Sequence, residues 1–148
     1  MLNAVTHVMV LGDVPGLDGL RAMEVIPPAG EAPLAARICA EITRLEPEPP
    51  LLIIATGDLA ALVPAVALAQ RAARRQVLGY VLIDPVYPAV SESWPDARVH
   101  VLGTTQSDLR TAELRGWETG SVTALRDVIL EISALHEGTF APIHESKR

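Results

Sequence analysis

Four aspartates stand at or just beyond the end of an apolar, β-like run: Asp13 after "HVMVLG", Asp58 after "LLIIATG", Asp84 closing "YVLID", and Asp108 after "RVHVLGTTQS". Open α/β sheets bind ligands along the carboxyl edge of their strands. These carboxylates are therefore candidates for one cleft, where they could hold a cation or raise one carboxyl pKa enough to make a general acid. Asp58 offers a further chemistry. It lies in "LLIIATGDLAALVPAVALA" (51–69), which reads as a buried strand, a tight turn and a helix. A tight turn of this shape is one on which many enzymes mount a nucleophile, and Asp58 stands at its sharpest point.

Chemistry of that kind needs a base, and histidine is the usual one. Of the 4 histidines, His7 and His100 fall inside strand runs, where core or edge placement is the better reading. His136 ends the last helical pattern and His144 lies in the tail. The stretch after the last strand, "GWETGSVT" (116–123), holds none. No spacing of His, Cys or Asp defines a ligand set, so neither a metal nor a cofactor is expected. Three of the four aspartates also have a plain structural reading. Asp58 can be a helix N-cap worth about 1 kcal/mol, Asp84 a turn residue before Pro85, and Asp108 a helix cap or loop residue.

Elements that would position these groups alternate between two patterns. Runs of β-branched and aliphatic residues mark strands at 7–11, 22–26, 51–56, 80–84 and 98–103, with a short last strand at "GW" (116–117). Helical periodicity marks 32–46, with Leu34, Ile38, Ile42 and Leu45 on one face, and 59–75, apolar almost all round. A closing amphipathic helix is expected over 121–137, with Val122, Leu125, Ile129 and Ile132 inward and Ser121 or Thr119 as N-cap. Pro33 fits a first helical turn, whereas Pro64 falls where it can kink the second helix. Alternation of this kind predicts α/β architecture: a three-layer sandwich around a mainly parallel sheet, in one domain over 1–138 with a flexible tail over 139–148.

Composition narrows the partners. With 49% hydrophobic and 20% charged residues the chain can build a core, which excludes a disordered class. A net charge of −6 with scattered basic residues gives no stripe for nucleic acid. No apolar run approaches the roughly 20 residues of a membrane span, and the N-terminus lacks the basic and apolar regions of a signal peptide, so a cytoplasmic protein is expected. The lone Cys39 sits in an apolar helical pattern and reads as a small core residue.

The stretch "EVIPPAGEAPLAARICAEITRLEPEPPLLIIATGDLAAL", followed by "GYVLIDPVYP" and "VHVLGTTQSD", resembles the α/β-hydrolase family, in its thioesterase-like branch. The likeness spans roughly residues 7–135. It implies a compact version of that fold, with the lid region reduced to "PVYPAVSESWPDA" (85–97). The family's elbow, G-x-S-x-G, laid on the chain without a gap becomes Thr56-Gly57-Asp58-Leu59-Ala60. This puts Asp58 in the nucleophile place. A shift of one residue would put Gly57 there, although the small Ala60 and Ala61 favour the first alignment.

By the same resemblance Asp108 takes the place of the triad acid, and Gly12 and Asp13 follow the strand that carries part of the oxyanion hole. Backbone N–H groups at 13–14 and at Leu59 would face an oxyanion there. The resulting expectation has Asp58 and Asp108 as candidate catalytic residues. Gly12, Asp13, Thr56, Gly57, Leu59 and Asp84 are candidate ligand-binding positions, and Tyr87 and Trp94 are candidate covers for a small ligand. Without serine at the elbow or histidine at the family position, the chain reads as a non-catalytic, hydrolase-like pseudoenzyme binding a small molecule or a protein partner, with a homo-oligomer through an edge strand as one form of partner. The alternative is a hydrolase, lyase or isomerase acting on a small organic substrate through Asp58.

Overall fold

A computed structural model describes residues 5, 7–91, 93–104 and 108–133. Strand β3 (Leu51–Thr56) is its centre: Leu51 to Ala55 are fully buried, so both faces of the strand must be covered. Around it the strands β1 (His7–Leu11), β2 (Ala22–Glu24), β4 (Val77–Ile83), β5 (Arg98–Gly103) and β6 (Glu118–Ser121) form a six-stranded sheet in the order β2-β1-β3-β4-β5-β6. Every pairing between neighbours is parallel. The α/β class and the parallel sheet expected from the sequence are both present. The sheet winds one way from β1 to β2 and the other way from β3 onward, so its switch point lies between β1 and β3.

Alternating side chains divide the sheet into two buried faces. Met9, Leu11, Ile53, Ala55, Tyr80, Leu82 and Val101 face helices α1 (Leu34–Leu45), α2 (Val63–Ala72) and α3 (Arg110–Leu114) through Ile38, Ile42, Val63, Val66 and Ala112. Val8, Val10, Leu52, Ile54, Val81 and Leu102 face the closing helix α4, residues 125–133, through Leu125, Val128, Ile129 and Ile132. Three layers result. No described helix is long and apolar enough to cross a membrane.

Several boundaries differ from the sequence expectation, each for a local reason. The helix expected at 59–75 divides into a 3-10 helix, Gly57–Leu62, and α2. Pro64, the second residue of α2, has no N–H to donate into an α-helical ladder, and Val63 N–H bonds to Ala60 O, three residues back. Helix α1 starts after Pro33, which is the cap with extended backbone, and stops at Glu46 in the left-handed region (φ 50°). Leu34 is exposed, while Ile38 and Ile42 are buried. Buried Glu41 keeps company with Arg44, whose guanidinium donates two bonds to it at 2.9 and 2.6 Å.

The "GW" pair at 116–117 is a helix ending rather than a strand. Gly116 (φ 77°) donates to Glu113 O, and Trp117 N–H to Ala112 O, which closes α3 with a left-handed turn and releases the chain into β6 at Glu118. Ser121 then ends β6 and, as expected, caps the next turn, its hydroxyl accepting from Thr123 N–H at 3.2 Å. The turn over Val122–Ala124 is 3-10, so α4 begins four residues later than the periodicity suggested. His136, and the tail at 139–148 with His144, lie outside the described residues.

His100 is on β5 with only 4% of its surface exposed, on the α4 side of the sheet by its alternation with Val99 and Val101, and its Nε2 has no partner. Burial lowers its pKa first; Arg98 on the same strand lowers it further, against Glu131 on α4 and Glu118 on β6. The imidazole is thus harder to protonate in the fold than in the unfolded chain, where it titrates near 6.5. As pH falls through about 6.5 the unfolded chain binds a proton that the folded chain refuses, so stability conferred at higher pH is lost. Urea unfolding at pH 7.5 and pH 5.5 should show lower stability at the acid end, and His100→Leu should flatten that dependence. An unchanged slope in the variant would show that other groups set it.

Candidate functional site

Hydrogen bonding along the strands brings β1, β3 and β4 to a common carboxyl edge. Leu11 stands opposite Ala55, and Thr56 opposite Ile83. Beyond this level Gly12 turns at φ 113°, and its approach to β3 is so close that a Cβ there would lie 2.1 Å from Thr56 Oγ1. Glycine is required at this point on both counts. Across the edge, Gly57 O accepts from Val86 N–H at 3.0 Å and ties the turn after β3 to the loop after β4.

The turn after β3 is where the sequence placed a nucleophile. Its left-handed residue is Gly57 (φ 53°), one position before Asp58. Asp58 follows within the first turn of the 3-10 helix and is exposed. The N-cap position belongs to Thr56, and no side chain makes a capping bond there, so Asp58 is not the cap of that helix. An acid in the first turn still interacts favourably with the helix end. Leu59, half-buried, packs onto the α1–α3 face of the core.

The other two carboxylates are committed to turns. Asp84, itself left-handed (φ 44°), donates its N–H to Leu102 O and accepts from Thr104 N–H at Oδ1, which joins the ends of β4 and β5. Asp108 Oδ1 accepts from Arg110 N–H at 2.9 Å and organises the start of α3, the structural role foreseen as its alternative. Among the described residues no three His, Cys, Asp or Glu side chains come together in a way that could hold a metal ion. The cluster of four aspartates around one cleft is therefore not formed. Of the described histidines, His7 is at the opposite edge of the sheet, where Nδ1 accepts from Glu48 N–H at 2.9 Å, and His100 is mid-strand.

A cleft of about 310 Å³ does open at this edge, on the α4 side of the switch point. Strand ends Thr56 and Ile83, loop residues Val14 and Pro15, and Leu125 and Arg126 at the start of α4 line it. Asp13 and Thr56 are the expected site residues that reach it; Asp58, Asp84 and Asp108 are not in its lining. Arg126 was missed because the helical pattern singled out its inward neighbours. One signal was available: the first turn after the last parallel strand returns to the same sheet edge as the other strand ends. Arg126 Nη1 donates to Gly16 O at 3.1 Å and to Asp18 O at 2.8 Å, pinning the loop after β1 to α4.

The aromatic residues expected to cover a ligand are not in the lining of this cleft; Trp94 lines a separate cavity of about 240 Å³ with Arg115 and Trp117. Trp94 is buried and meets Tyr80 edge-on at 5.3 Å and Trp117 at 5.6 Å. Arg115 lies over the Tyr87 and Trp117 rings at 5.5 and 5.1 Å. Tyr80 donates to Asp96 at 2.7 Å, and Arg71 holds the other carboxylate oxygen at 2.9 Å. Burial above all, then Asp96, pushes the Tyr80 phenol far above its ordinary range. These groups pack against the face covered by α1–α3 and anchor the 85–97 loop to the core.

Gly12→Ala should lower stability by about 1–3 kcal/mol, because the added methyl group has nowhere to go. Thr56→Ala in the same chain should recover part of that loss by removing the atom it meets, as read by urea unfolding. Equal stability of wild type and Gly12→Ala would rule out the close approach of β1 and β3. Compared with known protein families, curated proteins and solved structures, the chain has no match in any of the three.

Proposed function

We propose that the protein is a non-catalytic, α/β-hydrolase-like binding protein whose cleft at the β1–β3 switch point holds a small ligand. The observation that carries this reading is the turn after β3. In a nucleophile elbow the reactive residue occupies the strained point between strand and helix. Here that point is the left-handed Gly57, which has no side chain to react. The carboxylate next to it, Asp58, is exposed and outside the cleft lining, and no described histidine lies at the carboxyl edge of the sheet. The doubly wound sheet order is shared by open α/β folds of many activities, so the order alone does not argue for a hydrolase. The ligand reading draws on the size of the cleft, its position at a switch point, and an apolar lining edged by a few polar groups, which is the usual character of small-molecule sites.

Activated esters, thioesters and epoxides offered to the wild type and to Asp58→Asn, with intact-mass detection of adducts, test the catalytic half of the reading. The expected result is no turnover and no adduct with either protein. The stability of Asp58→Asn should lie within about 0.5 kcal/mol of wild type, as for an exposed residue with no hydrogen-bond or ion-pair partner among the described residues. Turnover or a covalent adduct that disappears in Asp58→Asn would instead establish Asp58 as a nucleophile.

A further inference from the structure

We infer that the ligand of this cleft is an apolar α-amino acid, held as a zwitterion between Arg126 and Asp13. The inference rests on the reading of the cleft as a ligand site and names its chemistry. Small-molecule pockets run from roughly 300 to 1,000 Å³, so a cleft of about 310 Å³ takes a small molecule. Val14, Pro15, Ile83 and Leu125 give it an apolar interior suited to an aliphatic or aromatic side chain. Two charged residues of opposite sign share that lining, Asp13 from the loop after β1 and Arg126 from the first turn of α4.

Neither charge is paired among the described residues: Arg126 and Asp13 form no ion pair with each other or with any other group there. Both bonds made by Arg126 leave from Nη1, to Gly16 O and Asp18 O, so the guanidinium is held in place. The Nε and Nη2 donors are left over, and together they form the edge that grips a carboxylate with two parallel bonds. The start of α4 adds the positive end of a helix to the same place. Asp13 is exposed and has no hydrogen-bond donor among the described residues.

Each simpler ligand leaves one of these groups in an unfavourable position. A plain carboxylic acid would satisfy Arg126 and bring its charge toward Asp13. A plain amine would satisfy Asp13 and face the guanidinium. A neutral hydrocarbon would cover part of the hydration of both. An α-amino acid presents a carboxylate and an ammonium from one carbon and leaves its side chain for the apolar lining, so all three features are used together.

Calorimetric titration of the full chain with L-leucine, L-valine and L-phenylalanine, and with the matching acids and amines that lack one charged group, tests the inference. At least one amino acid should bind tenfold or more tightly than both its acid and its amine. Asp13→Asn should erase the advantage over the acid, and Arg126→Gln the advantage over the amine. Arg126→Lys, which keeps the charge without the two-bond edge, should weaken binding less than Arg126→Gln, and melting curves will confirm that each variant is folded. Acids or amines binding as well as the amino acids would overturn the zwitterion assignment and leave the cleft a ligand site. Failure of every probe at millimolar concentration would overturn the assignment and the ligand-site reading together.

Discussion

Burial of β3 on both faces is the constraint from which the architecture follows. A strand with no solvent-exposed side can be stable only if helices cover it above and below; the crossover helices α1 and α2 cover one face and the closing helix α4 the other. Leu52 and Ile54 point to α4, while Leu51, Ile53 and Ala55 point to the layer of α1, α2 and α3. The crossovers return each strand in the same direction, so the ends of β1, β3, β4, β5 and β6 gather at one edge. The same requirement that packs the core therefore also creates the rim on which the cleft forms.

At that rim, close packing limits what chemistry the chain can carry. β1 and β3 approach so nearly beyond Leu11 and Ala55 that Gly12 lies against Thr56, and the chain leaves β3 through a left-handed glycine. Asp84 and Asp108 use their carboxylates to receive backbone N–H groups just after β5 and at the start of α3. A carboxylate fixed in a turn has exchanged reactivity for structure, and the cleft beside it is left mostly apolar. Asp13 and Arg126 stand in that lining beside Val14, Pro15, Ile83 and Leu125.

The helical layer opposite α4 shows how the fold manages polar groups that cannot reach water. Gln70 is fully buried in α2, yet its amide donates to Val66 O and accepts from Arg75. Arg75 also reaches Thr43 on α1, so this side chain links two helices at the surface of the core. In the same layer, Trp94 and Tyr80 pack edge to face, and Asp96 with Arg71 accounts for the phenol. Of the described residues in the 85–97 loop, Pro88 and Trp94 are buried, while Val86 and Val90 are exposed.

The pattern of apolar residues was enough to determine the layers, because the periods of strand and helix are written in consecutive side chains. Val8 to Leu11, Leu51 to Ala55 and Val99 to Leu102 could be read as strands, and Ile38, Ile42, Leu125, Ile129 and Ile132 as buried helix faces. Element ends were less legible: Gly116 and Trp117 resemble a strand until the bonds back to Ala112 and Glu113 show a helix ending. The composition of the site was decided only in three dimensions. Aspartates that follow four strands look equivalent along the chain, yet one lines the cleft, two are held in turns and one faces solvent, because the direction of a side chain at a strand end depends on the turn that follows. Arg126 and Asp13, 113 residues apart in sequence by their numbering, share a cleft only because the parallel sheet brings the first loop and the last helix to the same edge.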